Sequence, residues 1–133
     1  MVGVVGVVVL AAGLALGGCG ATDGRRAAAT SVATGFEEAL RSGDAGAACA
    51  ALAPATLREL EEGEKSPCPS VLGDQEILAG GDVTRVDVQG RQARVVLAGD
   101  TLFLSRFPGG WKVTAAGCRP RSDQPYDCAI KGG

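Results

Sequence analysis

Residues 101–116 read TLFLSRFPGGWKVTAA, and this stretch carries the pattern that decides the fold. Residues 101–107 and 111–116 are rich in Leu, Phe, Val and Thr, and only a Pro-Gly-Gly turn separates them. A connection this short joins neighbouring antiparallel strands. The stretch therefore predicts a β-hairpin whose alternation gives it two faces, one with Leu102 and Leu104 and the other with Phe103 and Phe107.

Two further strands are predicted on the N-terminal side of this hairpin. Residues 83–88 and 91–97 are rich in Val, and Gln89-Gly90 and Gly99-Asp100 supply short turns. Residues 119–125 contain two prolines and are predicted to form a loop, after which Tyr126-Asp127-Cys128 returns toward the sheet. We therefore expect a curved antiparallel meander with one buried face, to which these residues contribute: Thr84, Val86, Val88, Ala93, Val95 and Leu97.

Short helices are predicted before the sheet. Residues 26–42 place Val32, Phe36, Ala39 and Leu40 at helical spacing, with Glu37, Glu38 and Arg41 on the other side. Asp44 is a candidate N-cap for a second helix that reaches Leu52, and a third helix containing Leu57 and Leu60 ends at Gly63. Residues 65–70 are predicted to be a loop, while residues 71–78 fit no single element. Helices followed by an antiparallel sheet indicate the α+β class.

The start of the chain predicts export. Residues 2–18 carry no charge, yet they are shorter than the roughly 20 apolar residues that cross a bilayer, so a signal peptide fits better. Leu16-Gly17-Gly18-Cys19 resembles the lipobox of bacterial lipoproteins, which implies cleavage before Cys19 and a lipid on its sulfur. An uncleaved apolar anchor and a merely buried Cys19 are the alternatives. We expect a signal peptide (1–18), a lipidated cysteine with its tether (19–28) and a single domain (29–133), held by lipid on the extracytoplasmic face of the cell membrane.

Four cysteines remain after Cys19, and an oxidising compartment allows them to pair. Of the three connectivities that are open, we favour the two that join near neighbours, Cys49 to Cys68 and Cys118 to Cys128. A zinc site or thiol redox catalysis is disfavoured, because the chain has no histidine and no C-x-x-C motif. The cysteines therefore predict two disulfides.

The element order, together with Phe-Pro-Gly-Gly-Trp-Lys-Val at 107–113, resembles the nuclear transport factor 2-like (cystatin-like) superfamily. With the lipobox, the chain looks like small actinobacterial lipoproteins that carry such a domain. The superfamily resemblance implies helices and a bent sheet that enclose a conical pocket, in some members a site of acid/base catalysis. The candidate pocket-lining residues here are Phe36, Leu40, Phe103 and Trp111.

No catalytic constellation emerges from the remaining polar residues. We expect Asp87 to be a solvated strand residue, Asp100 a turn residue and Tyr126 a packing residue, so that exchange of either aspartate for Asn changes stability little. A solvated face explains the run of glutamates at positions 59, 61, 62 and 64. The residues expected to face the core include no titratable group: Val32, Phe36, Ala39, Leu40, Val86, Val95, Leu102 and Trp111.

These observations favour a non-enzymatic domain without metal or cofactor that binds a partner protein or an envelope component. The formal charge of −2 gives no electrostatic basis for nucleic-acid binding. Two alternatives stay open: a pocket for a small apolar ligand, and a small acid/base enzyme. Whether the space between helices and sheet is open or filled discriminates among the three functions. If core side chains fill that space, both the ligand pocket and the enzyme are disfavoured.

Overall fold

In the computed structural model, four helices precede a five-stranded sheet, and the structure describes residue 3, residues 18–74 and residues 79–132. The α+β class is therefore confirmed, while the predicted signal peptide lies almost wholly outside the described residues. The helices are α1 (Gly18–Ser42), α2 (Ala45–Ala50), α3 (Pro54–Glu64) and α4 (Cys68–Asp74). The strands are β1 (Val83–Gln89), β2 (Gln92–Leu97), β3 (Thr101–Phe107), β4 (Gly110–Arg121) and β5 (Gln124–Lys131).

Helix α1 is longer than predicted, because it begins at Gly18 rather than at Arg26. The segment 19–28, expected to be a tether, is helical, and its alanines and arginines favour that conformation. One stripe of α1 is buried at a spacing of three and four residues, which is the pattern of an amphipathic helix on a core. The buried apolar residues of this stripe are Ala29, Ala33, Phe36 and Ala39.

The residues at the N-terminal ends of the three short helices explain where these helices begin. The Asp44 carboxylate accepts a hydrogen bond from the Ala47 amide at 3.0 Å and caps α2, as predicted. Pro54 lies in the first turn of α3, where a missing amide hydrogen costs nothing. Helix α4 corrects the loop predicted at residues 65–70, since Pro69 falls in its first turn and is tolerated there for the same reason.

The sheet has the order β1-β2-β3-β4-β5, and every neighbouring pair is antiparallel. The four predicted strands are present, but the loop expected at residues 119–125 is wrong, because β4 continues to Arg121 and β5 follows after a tight turn. Pro120 lies where the register shifts between Arg119 and Arg121. At such an irregularity the strand does not need a backbone N–H to bond with its neighbour, so the proline is tolerated. The sheet is an open, curved meander.

Strand β4 has different neighbours along its length. Its first half is flanked by β3 and by residues 51–53, with Ala53 donating to the Val113 carbonyl and Val113 donating to the Ala51 carbonyl, both at 2.8 Å. Its second half pairs with β5. Gly117 lies within the half that pairs with β5, and its φ of 64° departs from extended backbone and bends the strand there.

One face of the sheet packs on the helices and forms a single core with Phe36. The predicted alternation of β2 is confirmed, since Ala93, Val95 and Leu97 are buried. Val32, Leu40 and Val86, predicted to face the core, pack at its margin. Further buried members from β3 to β5 are Leu102, Leu104, Trp111, Val113, Ala116 and Ile130.

The predicted cysteine pairing is the one the structure has. Cys49 is joined to Cys68, which ties α2 to α4, and Cys118 is joined to Cys128 across the β4–β5 hairpin. The helical layer and the end of the sheet are thus each cross-linked internally.

Candidate functional site

A group of charged and aromatic side chains lies on the face of the sheet that the helices do not cover. We call it the outer-face cluster; its members are Arg85, Asp87, Arg94, Phe103 and Tyr126. Strand alternation explains the positions on β2 and β3, because Arg94 lies between two buried residues and Phe103 between buried Leu102 and Leu104. Tyr126 lies on β5, in the segment for which the sequence predicted only a return toward the sheet.

Asp87 is the centre of the cluster, since it accepts hydrogen bonds from both arginines. Its Oδ2 accepts from Arg94 Nη2 at 2.7 Å and from Arg94 Nε at 3.2 Å, while its Oδ1 accepts from Arg85 Nε at 3.1 Å. The hydrogen bonds from Arg94 lower the pKa of Asp87 below its ordinary value, and the same contact raises the pKa of Arg94. Asp87 is therefore a paired carboxylate that orients two guanidinium groups, and not merely a solvated strand residue.

The aromatic half of the cluster adjoins the charged half. The rings of Phe103 and Tyr126 meet edge to face with centroids 5.0 Å apart, and the Tyr126 hydroxyl lies 3.5 Å from Arg94 Nη1. A pocket of about 350 Å³ opens here, and its lining includes Arg85, Asp87, Arg94 and Phe103. This volume is within the usual range for small-ligand sites.

The arrangement suits recognition of an anion. Two guanidinium groups and one carboxylate leave one net positive charge, and Arg85 is about two-thirds exposed. Within the described part of the chain, only the Nε of Arg85 forms a hydrogen bond, so its two Nη atoms are available. Arginine presents paired donors that match carboxylate and phosphate groups, and Phe103 offers an apolar surface beside them.

A second notable group is buried between α1 and the sheet. Glu37 is only 6% exposed, although the sequence placed it on the polar side of its helix, and this corrects the expectation that no titratable residue faces the core. Its Oε2 accepts a hydrogen bond from the Gly80 amide at 2.5 Å, and its Oε1 has no partner among the described residues. Burial raises the pKa of Glu37 above its ordinary value, and the nearby charge of Asp100 adds to that rise.

Asp100 has a wider role than that of a turn residue. Its carboxylate accepts hydrogen bonds from the amides of Thr101, Gly117 and Cys118 at 2.7, 3.1 and 2.8 Å. The first contact is the local one expected of a turn, but the other two reach the bend of β4. Asp100 thus joins the β2–β3 turn to β4, and its carboxylate satisfies amides at the bend of that strand.

The sequence pattern did contain a signal for Glu37. Positions 29, 33 and 37 are spaced by four residues, so Glu37 lies on the same stripe as two buried alanines. Its charge argued against burial, and its partner Gly80 is 43 positions away, beyond the reach of a local pattern.

The structure separates the candidate pocket-lining residues. Phe36 and Trp111 are buried in the core, and Leu40 packs at its margin. Phe103 lies on the opposite side of the sheet, where it lines the outer-face pocket. Glu61 of α3 has a structural role beyond a solvated face, since it accepts a hydrogen bond from the Cys68 amide at 2.9 Å. The side chain of Cys19 lies outside what the structure describes.

Within residues 18–74 and 79–132, no group of three or more cysteine, aspartate or glutamate side chains could hold a metal ion. None of the helices formed by those residues combines the length and the apolar character that crossing a bilayer requires.

Comparison with protein-family models, with curated proteins and with solved structures finds no match for the chain.

Proposed function

We propose that the protein is an exported lipoprotein, anchored to the extracytoplasmic face of the membrane, whose domain binds a partner protein or an envelope component without catalysing a reaction. The outer-face cluster is the proposed binding site, and a carboxylate or phosphate beside an apolar group is the feature recognised. The observation that carries this proposal is the pair Arg85 and Arg94, oriented by Asp87 at the mouth of a pocket that Phe103 also lines.

The anchor is supported by the lipobox resemblance of residues 16–19 and by the disulfides, which fit an oxidising compartment. Acyl chains on Cys19 supply the membrane affinity, because two or more chains hold a protein where one is marginal. The backbone is helical from Gly18, so the domain would stand close to the bilayer.

Packing supports a binding role over catalysis. Phe36, Leu102 and Trp111 fill the space between helices and sheet where the nuclear transport factor 2-like resemblance implies a conical pocket. Glu37 is the one acidic residue in the buried class among the described residues, but its Oε1 is out of contact with solvent and its Oε2 accepts the Gly80 hydrogen bond. General acid/base catalysis needs a group within hydrogen-bond reach of a substrate, and Glu37 offers none in this arrangement.

Site-specific photo-crosslinking in intact cells tests the binding site. A photoreactive residue at Gln92, which lines the outer-face pocket, should give one discrete adduct. The same probe at Glu62, exposed on α3, is the matched control and should not give that adduct. Arg94→Gln should weaken the adduct from Gln92, because it removes one of the two oriented guanidinium groups.

Equal adducts from both probe positions would indicate non-specific proximity at the membrane. An adduct of unchanged yield in Arg94→Gln would remove the outer-face cluster from the proposal while leaving the anchor intact.

A further inference from the structure

One end of the molecule gathers basic residues and one exposed aromatic residue. We call it the anchor-side end; it is formed by Arg25, Arg26, Arg91, Arg106 and Phe107. We infer that this end is a second membrane-contact surface, which binds an anionic phospholipid bilayer together with the lipid on Cys19. The inference rests on the anchoring proposed above and goes beyond it, because it assigns an orientation to the domain.

The topology brings these residues together from three parts of the chain. A pocket of about 470 Å³ is lined by Gly24 and Arg25 of α1 and by Arg106 and Gly110 of the β3–β4 hairpin. The β1–β2 turn adjoins the same place, since the Arg106 amide donates to the Arg91 carbonyl at 2.8 Å. The start of α1 therefore lies beside two hairpin turns, at the point where the lipid-bearing residue enters the fold.

The charge of this end is opposite to that of the rest of the molecule. Among the described residues that form this end and their sequence neighbours, four arginines stand against one acidic residue, Asp23, whereas the whole chain has a formal charge of −2. Arg26, Arg91 and Arg106 are exposed. The remainder of the protein is consequently net acidic, and an anionic bilayer attracts the anchor-side end while it repels the other.

Phe107 supplies the apolar element of the surface. It is 36% exposed and is the one large hydrophobic side chain in the exposed class among the described residues. It precedes the exposed Pro108-Gly109 turn, so it stands at the tip of the β3–β4 hairpin. An aromatic ring flanked by arginines matches the membrane interface, where rings enter the headgroup region and guanidinium groups stay with the phosphates.

Depth-dependent quenching tests this contact on the full lipidated protein, purified from membranes and reconstituted into vesicles of phosphatidylcholine and phosphatidylglycerol. Phe107→Trp adds a fluorophore to the hairpin tip, while the native Trp111 is buried and is measured in the unaltered protein as background. Brominated acyl chains should quench most of the added fluorescence. Ser122→Trp, in the turn at the far end of β4, is the matched control and should stay unquenched.

The charge contribution is tested in the same assay. Arg91→Glu with Arg106→Glu, placed in the Phe107→Trp protein, should lose most of the quenching, because both exposed charges are reversed. Circular dichroism verifies that these surface variants are folded. Vesicles of phosphatidylcholine alone should likewise reduce the quenching of Phe107→Trp.

The outcomes separate this inference from the anchoring proposal. Protein that stays on the vesicles with Phe107→Trp no more quenched than Ser122→Trp overturns the second contact and leaves the lipid anchor standing. Quenching that ignores both charge reversal and phosphatidylglycerol overturns the anionic selectivity. Protein that carries no lipid and fails to associate with vesicles contradicts the proposed anchoring itself.

Discussion

Among the described residues, Glu37 is the one ionisable side chain in the buried class, and the negative charge of Asp100 is close enough to raise the pKa of Glu37 further. The two carboxylates act differently. Asp100 satisfies three backbone amides, whereas Glu37 satisfies one and leaves an oxygen without a partner. At the scale of single residues, Asp100 is expected to stabilise the fold and an ionised Glu37 to weaken it.

As the pH rises, we expect the free energy of unfolding of Glu37→Gln to increase relative to that of the unaltered protein. Burial raises the folded pKa of Glu37 above its ordinary 4.5. The stability that the protonated Glu37 contributes is therefore fully present below pH 4.5 and is lost as the pH rises through the folded pKa. Gln does not titrate and lacks this loss. Urea denaturation of both proteins from below pH 4.5 to neutral pH measures the difference, with Glu62→Gln as the control for removing a surface carboxylate. A difference that shrinks toward neutral pH would contradict the assignment.

Asp100→Ala should lower the free energy of unfolding by about 1–3 kcal/mol, because it leaves buried amides at the bend of β4 without an acceptor. Asp82→Ala, which removes an exposed aspartate before β1, should stay within about 0.5 kcal/mol. Urea denaturation at one pH compares the two variants. Equal effects would mean that Asp100 behaves as an ordinary surface aspartate.

Among the secondary-structure elements, β4 is bent at Gly117, and one disulfide cross-links the helices while the other cross-links the β4–β5 hairpin. Gly117 adopts a φ of 64°, and a Cβ at this position would lie 2.8 Å from the Cβ of Ala129 on β5. Only glycine meets both the backbone and the packing requirement there. Strand β4 pairs with β3 up to Ala115 and with β5 from Ala115 onward, so the bend falls just after the residue at which β5 joins the sheet.

Gly117→Ala should therefore destabilise the fold by about 2 kcal/mol or more, from backbone strain together with the clash. Gly63→Ala is the matched control, because Gly63 is helical, has open space around its Cβ direction and should gain about 0.5 kcal/mol. Thermal or urea denaturation distinguishes the two signs. A neutral Gly117→Ala would show that the bend does not need a glycine.

Removal of either disulfide should lower the free energy of unfolding by about 3 kcal/mol in the chain-entropy model. The loss should be slightly larger for the pair with the larger sequence separation. That pair is Cys49 and Cys68, which are 19 residues apart, against 10 for Cys118 and Cys128. The double alanine variants of each pair, compared by urea denaturation, measure both effects. Non-reducing peptide mapping should recover the same two links, and a peptide joining Cys49 to Cys118 would contradict the pairing.

The elements predicted from sequence are those with local signals. The β3–β4 hairpin follows from its turn, α2 from the Asp44 cap, and the β2 alternation from its apolar residues. A fifth strand at Tyr126 to Ile130 stayed undecided from sequence, because Pro120 and Pro125 signal a loop unless a register shift accommodates them. The site is harder still, since the outer-face cluster joins four strands and Glu37 meets Gly80 across 43 positions.

At the scale of the whole molecule, the proposed roles occupy different regions. In the proposed orientation the anchor-side end faces the bilayer, and the outer-face cluster lies on the face of the sheet that the helices do not cover. The two surfaces adjoin, because Gln92, which lines the outer-face pocket, also lines a second pocket with Arg91, Arg106 and Phe107 of the anchor-side end. A partner bound at the outer-face cluster would therefore stand beside the membrane. In this proposal, attachment of the domain to the membrane depends on the modification of Cys19.

The intact mass of the protein recovered from the membrane fraction tests this dependence most directly. We predict a mature chain that begins at Cys19 and carries acyl groups, and we predict that Cys19→Ala is released from the membrane or remains as a precursor of larger chain mass. A chain that still begins at Met1 and carries no acyl groups would contradict the proposed anchor.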